Sequence, residues 1–142
     1  MTRRRANEEL DFEALRLGIE RCDPDLVLGF YAEDAQLSIA NAAAPQASPF
    51  ELRGKAEIAK HLRAVFGQGA SHRVEREEIA GEEDVTMFRE VCEYPDGSRV
   101  VVTTTLEVRG GMIVCQVDVV TRDAPADRVY GLRRREAKGE EK

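Results

Sequence analysis

Asp118 lies in the run Gln116-Val117-Asp118-Val119-Val120, an acid flanked by valines in a stretch rich in β-branched residues. A carboxyl group in that setting is poorly solvated. Desolvation disfavours its charged form and lifts its pKa toward the range in which it can accept and return protons near neutrality. The same aspartate could instead be paired with an arginine to hold the fold, and the sequence leaves both readings open.

The partners of Asp118 follow from strand register. Ser98 to Val108 and Met112 to Thr121 both read as strands, joined by Arg109-Gly110-Gly111, and two glycines that accept positive φ are a tight-hairpin signal. An uninterrupted hairpin opposes Val108 to Ile113, Leu106 to Cys115, Thr104 to Val117 and Val102 to Val119, an almost wholly apolar face. The other face then carries Thr105 opposite Gln116, Thr103 opposite Asp118 and Val101 opposite Val120. A solvated strand face would carry Lys, Glu or Arg at its middle. Threonine, glutamine and one aspartate suit a partly dry cavity wall.

The preceding strand, Val85 to Tyr94, adds a third partner whose identity depends on the turn at Pro95 to Ser98. A two- or four-residue loop places Phe88, Glu90 and Cys92 in the pocket, and a three-residue loop places Met87, Arg89 and Val91 there. Glu90 inside would give two carboxylates that share a proton, an acid and a base from one pair. Arg89 inside would hold Asp118 ionised and could orient a water. Tyr31, read at the end of a second helix, offers a hydroxyl to a developing oxyanion or packs with that hydroxyl at the rim. His61 borders a helical apolar stripe as a pocket acid or base, or as a structural residue. His72, in a charged strand start, reads as surface.

No metal and no cofactor are expected. The two histidines and three cysteines show no HxH, HExxH or CxxC spacing, and neither a glycine-rich phosphate loop nor a GxSxG elbow occurs. The odd cysteine count, Cys22, Cys92 and Cys115, points to reduced thiols and a cytoplasmic protein. Charged residues make up 34% and the net charge is −6, which argues against nucleic acid, since the basic runs Arg3-Arg4-Arg5 and Arg133-Arg134-Arg135 are terminal. No apolar run reaches the roughly 20 residues of a membrane span. At 142 residues the chain is expected to be one domain over 9–124, with a loose tail at 1–8 and a charged, disordered tail at 125–142.

The elements that must position these residues can be read in order. Asn7 to Cys22 has helical apolar spacing, and Asp23-Pro24-Asp25 is a helix start followed by Leu26, Val27, Phe30 and Tyr31. Gln36 to Ile39 alternates as a short strand, Asn41 to Pro49 is loop-like, and Gly54 to Phe66 is a third helix. A meander of about four strands from Val74 completes the pattern of helices on one face of a mostly antiparallel sheet, an α+β domain.

That order, with Phe30-Tyr-Ala-Glu-Asp-Ala35, Leu52-Arg-Gly-Lys-Ala-Glu-Ile58 and Glu107-Val-Arg-Gly-Gly-Met-Ile-Val114, resembles the NTF2-like superfamily and within it the SnoaL-like branch. The resemblance implies an NTF2-like (cystatin-like) cone: three helices from the N-terminal half on a curved sheet, around a pocket, often in a dimer. Relatives of this kind include polyketide cyclases, limonene epoxide hydrolases and ketosteroid isomerases. By that resemblance Asp118 matches the last-strand acid of epoxide-hydrolase-like members, Arg89 their preceding-strand arginine and Asn41 a polar residue after the first strand. Their second aspartate falls at Val91, the isomerase base falls near Ile39, and the histidine that cyclases place two positions before the acid is Gln116.

Two functions are therefore expected from these residues together with what the resemblance implies. One is a cofactor-free isomerase, cyclase or epoxide hydrolase acting on a small apolar or polyketide-like molecule, with Asp118 as base, Arg89 or Glu90 assisting, and Tyr31, Asn41, His61, Phe88, Thr103, Thr105 and Gln116 against the substrate. The other is a non-catalytic ligand-binding or dimerisation module. Both imply a homodimer through the apolar face of Val102, Thr104, Leu106, Cys115, Val117 and Val119.

Overall fold

A computed structural model describes residues 9–77 and 85–123. The tails expected at 1–8 and 125–142 and the turn at Gly81 lie outside those residues. Helix α1 (Phe12–Glu20) begins where the Asp11 carboxylate accepts a hydrogen bond from Ala14 N at 3.1 Å, so it starts later than apolar spacing alone suggests. Asp23 caps α2 (Pro24–Leu28) in the same way, with proline at the first helical position.

The chain then turns into strand β1 (Tyr31–Asn41), which corrects the expectation of Tyr31 on the second helix. Phe30 O accepts from Ile113 N at 2.8 Å, and this long-range bond draws the Phe30-Tyr31 segment into the sheet. A short hairpin partner, β2 (Phe50–Arg53), follows the expected loop, and α3 (Lys55–Phe66) follows at once. Strands β3 (Ser71–Glu77), β4 (Val85–Glu93), β5 (Arg99–Arg109) and β6 (Met112–Asp123) follow among the described residues.

The six strands form one sheet in the order β2-β1-β6-β5-β4-β3, parallel between β1 and β6 and antiparallel elsewhere. The sheet is curved and unclosed, and the three helices pack on its concave side, as expected of an α+β NTF2-like architecture. Leu15 from α1, Ile58 from α3, Leu37 from β1, Leu106 from β5 and Ile113 from β6 are among the most deeply buried side chains and form the centre of the core.

Two local irregularities set which side chains face inward. Gly110 and Gly111 have φ of +59° and +77° and form the expected tight turn, with Val108 opposite Ile113. Next to it a β-bulge adds one residue to β6, so Leu106 pairs with Gln116, Thr104 with Asp118 and Val102 with Val120. An extra residue exchanges the two faces beyond it, and Thr103 and Thr105 consequently lie on the outer face beside Val119 and Val117.

The β4–β5 turn is a three-residue loop. Tyr94 N donates to Ser98 O at 2.9 Å, Gly97 takes a φ of +89°, and the Asp96 carboxylate accepts from both Ser98 N and Ser98 Oγ. That loop aligns Arg89 with Thr103 and Glu90 with Val102. Because the bulge has moved Asp118 opposite Thr104, it is Phe88, Glu90 and Cys92 that share the face of Asp118. Arg89 is exposed and reaches Glu75 at 3.0 Å on the other side.

Candidate active site

A cavity of about 290 Å³ lies between the helices and the concave face of the sheet. Leu15, Ile19, Val27, Leu37, Leu62 and Phe88 make much of its wall apolar. Set into that wall are Tyr31 from β1, His61 from α3, Glu90 from β4, and Gln116 and Asp118 from β6. The fold thus gathers onto one surface six residues that the sequence offered as site candidates, Phe88 included.

Asp118 is buried, and its Oδ1 accepts two hydrogen bonds of 2.9 Å, from Thr104 Oγ1 and from Gln116 Nε2. Oδ2 takes no hydrogen bond from any described residue. Burial pushes the pKa of Asp118 up to about 6, with the negative charge of Glu90 adding to the rise, against the two hydrogen bonds that pull it down.

Gln116 is itself held. The Tyr31 hydroxyl donates to Gln116 Oε1, and this fixes the amide so that its NH₂ points at Asp118. Burial, with Asp118 and Glu90 nearby, raises the pKa of the Tyr31 phenol and keeps it a donor. A fixed chain therefore runs from Tyr31 through Gln116 to the carboxylate, with Thr104 on the other side. Burial also lowers the pKa of His61, so its half-buried imidazole is neutral at pH 7, although Glu90 pulls the other way.

Several expected positions are corrected. Arg89 points away from the cavity for the register reason given above. Thr103 and Thr105 are on the outer face, and Thr104, which the sequence assigned to that face, supplies the hydrogen bond instead. Asn41 is exposed at the end of β1, where its side chain accepts from Ala43 N at 2.9 Å in a local turn. Val102, Thr104 and Leu106 face inward and leave the outer face to Thr103, Thr105, Val117 and Val119. The last two are 42% and 37% exposed.

His72 is also corrected from surface to core. Its side chain is fully buried, with Nδ1 2.5 Å from Glu90 Oε2, and the edge of its ring contact with Phe66 is at a centroid distance of 5.3 Å. The Cys92 thiol lies 3.4 Å from the same Nδ1 and 3.7 Å from the same Oε2. Burial beside Glu90 pushes that thiol up to about 12. The signal for His72 was present in the alternation His72-x-Val74, masked by Arg73, Glu75 and the other charges between and after them.

Comparison with known proteins places the chain in a wider group. The model of the SnoaL-like domain family matches residues 12–116. No curated protein matches the chain. Solved structures do: an NTF2-like protein from Burkholderia xenovorans, 18% identical, aligns over 86% of this chain and 90% of its own with a TM-score of 0.60. BvnE pinacolase from Penicillium brevicompactum, 11% identical, aligns over 82% and 87% with a TM-score of 0.60. An LEH-like epoxide hydrolase from M. tuberculosis, 21% identical, aligns over 84% and 80% with a TM-score of 0.55. At these identities the likeness is one of fold.

Proposed function

The chain belongs to the SnoaL-like domain family, and from that premise we propose that it is a small-molecule enzyme of the isomerase, cyclase or epoxide hydrolase type, with Asp118 as general base and then general acid. The observation that carries this reading is the state of Asp118: buried in a cavity wall, one oxygen doubly hydrogen-bonded, the other unclaimed among the described residues, its pKa pushed up to about 6. A carboxylate of that kind takes up a proton readily and is still largely ionised at pH 7.

The proposed step is a proton transfer to Oδ2. The proton comes from carbon beside a substrate carbonyl, or from a water that attacks a strained ring. Thr104 and Gln116 keep the carboxylate plane fixed, and the Tyr31 contact keeps Gln116 from rotating, so no reorganisation is needed as charge moves. His61, neutral and on the opposite wall, supports the reading as a group able to hydrogen-bond a substrate oxygen. The cavity lies near the lower end of the ~300–1,000 Å³ common for ligand sites and is largely apolar, which favours a small apolar substrate.

A second reading, a binding module without turnover, draws on one observation: the arginine that epoxide-hydrolase-like relatives are expected to carry beside the acid is here Arg89, which is on the outer face. We also propose a homodimer through that face, on the exposure of Val117 and Val119 beside Thr103 and Thr105. Three free cysteines are in keeping with a cytoplasmic location.

The test is to screen small ketones, lactones and epoxides for binding by thermal shift and for turnover, with wild type and Asp118→Asn. Turnover lost with binding retained is the expected outcome. Equal turnover in both proteins removes Asp118 as the base, and binding without turnover in either favours the module. Light scattering on wild type and Val117→Glu tests the pairing, and a wild type that stays monomeric at high concentration overturns it.

A further inference from the structure

We propose that His72, Glu90 and Cys92 form a site for one divalent transition-metal ion of the zinc type, set in the cavity wall. This stands apart from the acid/base reading, because Asp118 is not among the ligands.

Three separate features of the fold create the cluster. The β3–β4 register places His72 directly opposite Cys92. Glu90 precedes Cys92 by two residues and so projects from the same face of β4. The curved sheet turns that face toward the helices, where Phe66 closes over the histidine ring. One ligand atom from each residue, Nδ1, Oε2 and Sγ, falls within 4.8 Å of the others.

The donor set and the distances suit such an ion. Imidazole, thiolate and carboxylate are the ligands zinc takes in proteins, at ~2.0–2.3 Å from the metal, which in a tetrahedron puts neighbouring ligand atoms roughly 3.2–3.7 Å apart. The Sγ–Nδ1 and Sγ–Oε2 separations are 3.4 and 3.7 Å, already in that range. Nδ1–Oε2 is 2.5 Å, a close hydrogen-bond contact. Binding would open that edge by roughly 1 Å as the metal comes between the two atoms.

Proton balance is simple for a neutral imidazole. The Cys92 thiol releases its proton to solvent, and the imidazole proton moves from Nδ1 to Nε2. Glu90 and Cys92 line the cavity whereas His72 is behind them, so an ion held by all three has its approach, and any fourth ligand, on the cavity side.

The experiment is a titration of the full chain with Co²⁺ under reducing, anaerobic conditions. A thiolate-to-cobalt charge-transfer band saturating at one equivalent and bleached by Zn²⁺ is expected. Cys92→Ser should abolish the band, and Glu90→Gln and His72→Gln should each weaken binding by at least about tenfold. Cys115→Ser, on the outer face, should leave it intact. No band with wild type, a band that persists in Cys92→Ser, or affinity unchanged in a folded Glu90→Gln would each overturn the proposal. If Cys92→Ser does not fold, the Glu90→Gln affinity, with folding checked by circular dichroism, decides.

Discussion

Asp118→Asn should make the protein more stable at neutral pH, although it removes the proposed catalytic group. Burial raises the folded-state pKa of Asp118 from 3.8 to about 6. The folded state therefore binds a proton that the unfolded chain releases more easily, so this residue's stabilising effect is complete below about pH 4 and is lost as pH rises through about 6. About two pKa units correspond to roughly 3 kcal/mol, of which about 2 kcal/mol falls between about pH 4.5 and 7.5. Asparagine keeps an acceptor for Thr104 and Gln116 and has no charge to desolvate. Its amide still gives up the stronger bonding of a charged acceptor, so the gain at neutral pH is at most this figure. Urea denaturation of both proteins at the two pH values isolates Asp118 from other titrating groups, of which Glu90, His61 and Tyr31 face it. Wild type should lose stability relative to the variant as pH rises. Parallel stabilities at both pH values, or a variant weaker at pH 7.5, would refute the claim that this carboxyl is desolvated.

The other side chains around the site give further predictions. Thr104→Val removes one bond to the ionised form and should raise the Asp118 pKa by about one to two units, read from the carboxyl ¹³C shift against pH; an unchanged titration midpoint would exclude the contact. Tyr31→Phe leaves Gln116 Oε1 buried without its donor and should cost about 1–2 kcal/mol in denaturation, together with loss of turnover if the Gln116 amide must be held. Arg89→Ala should leave both the denaturation midpoint and any activity unchanged, since Arg89 and Glu75 are both exposed; a large loss of turnover would return Arg89 to the site.

The general fold was legible because it rests on local signals. Asp23-Pro24 starts a helix wherever it stands, alternating β-branched residues make strands, and Gly110-Gly111 makes a tight turn. Leu15, Ile19, Ile58 and Leu62 recur at helical spacing, and all four are buried. Asp118 could be singled out because valines flank it, and that neighbourhood follows it into the folded state. Strand β2 was missed because it is four residues long and has no alternation of its own, being held by pairing with β1.

The choice between Arg89 and Glu90 was of a different kind. The three-residue loop moved one pairing by a residue, and the bulge beside Val108 moved the next, so that together they brought Glu90 rather than Arg89 to the face of Asp118. A side chain's face changes with every single-residue slip, whereas the tendency to form a strand does not. Composition and spacing thus decided the three helices and the longer strands, and that an acid stands in a dry strand. Only the packed sheet decided which cross-strand neighbours it has, Thr104 and Glu90, and the approach of His72 to Cys92, because those depend on register between separate strands.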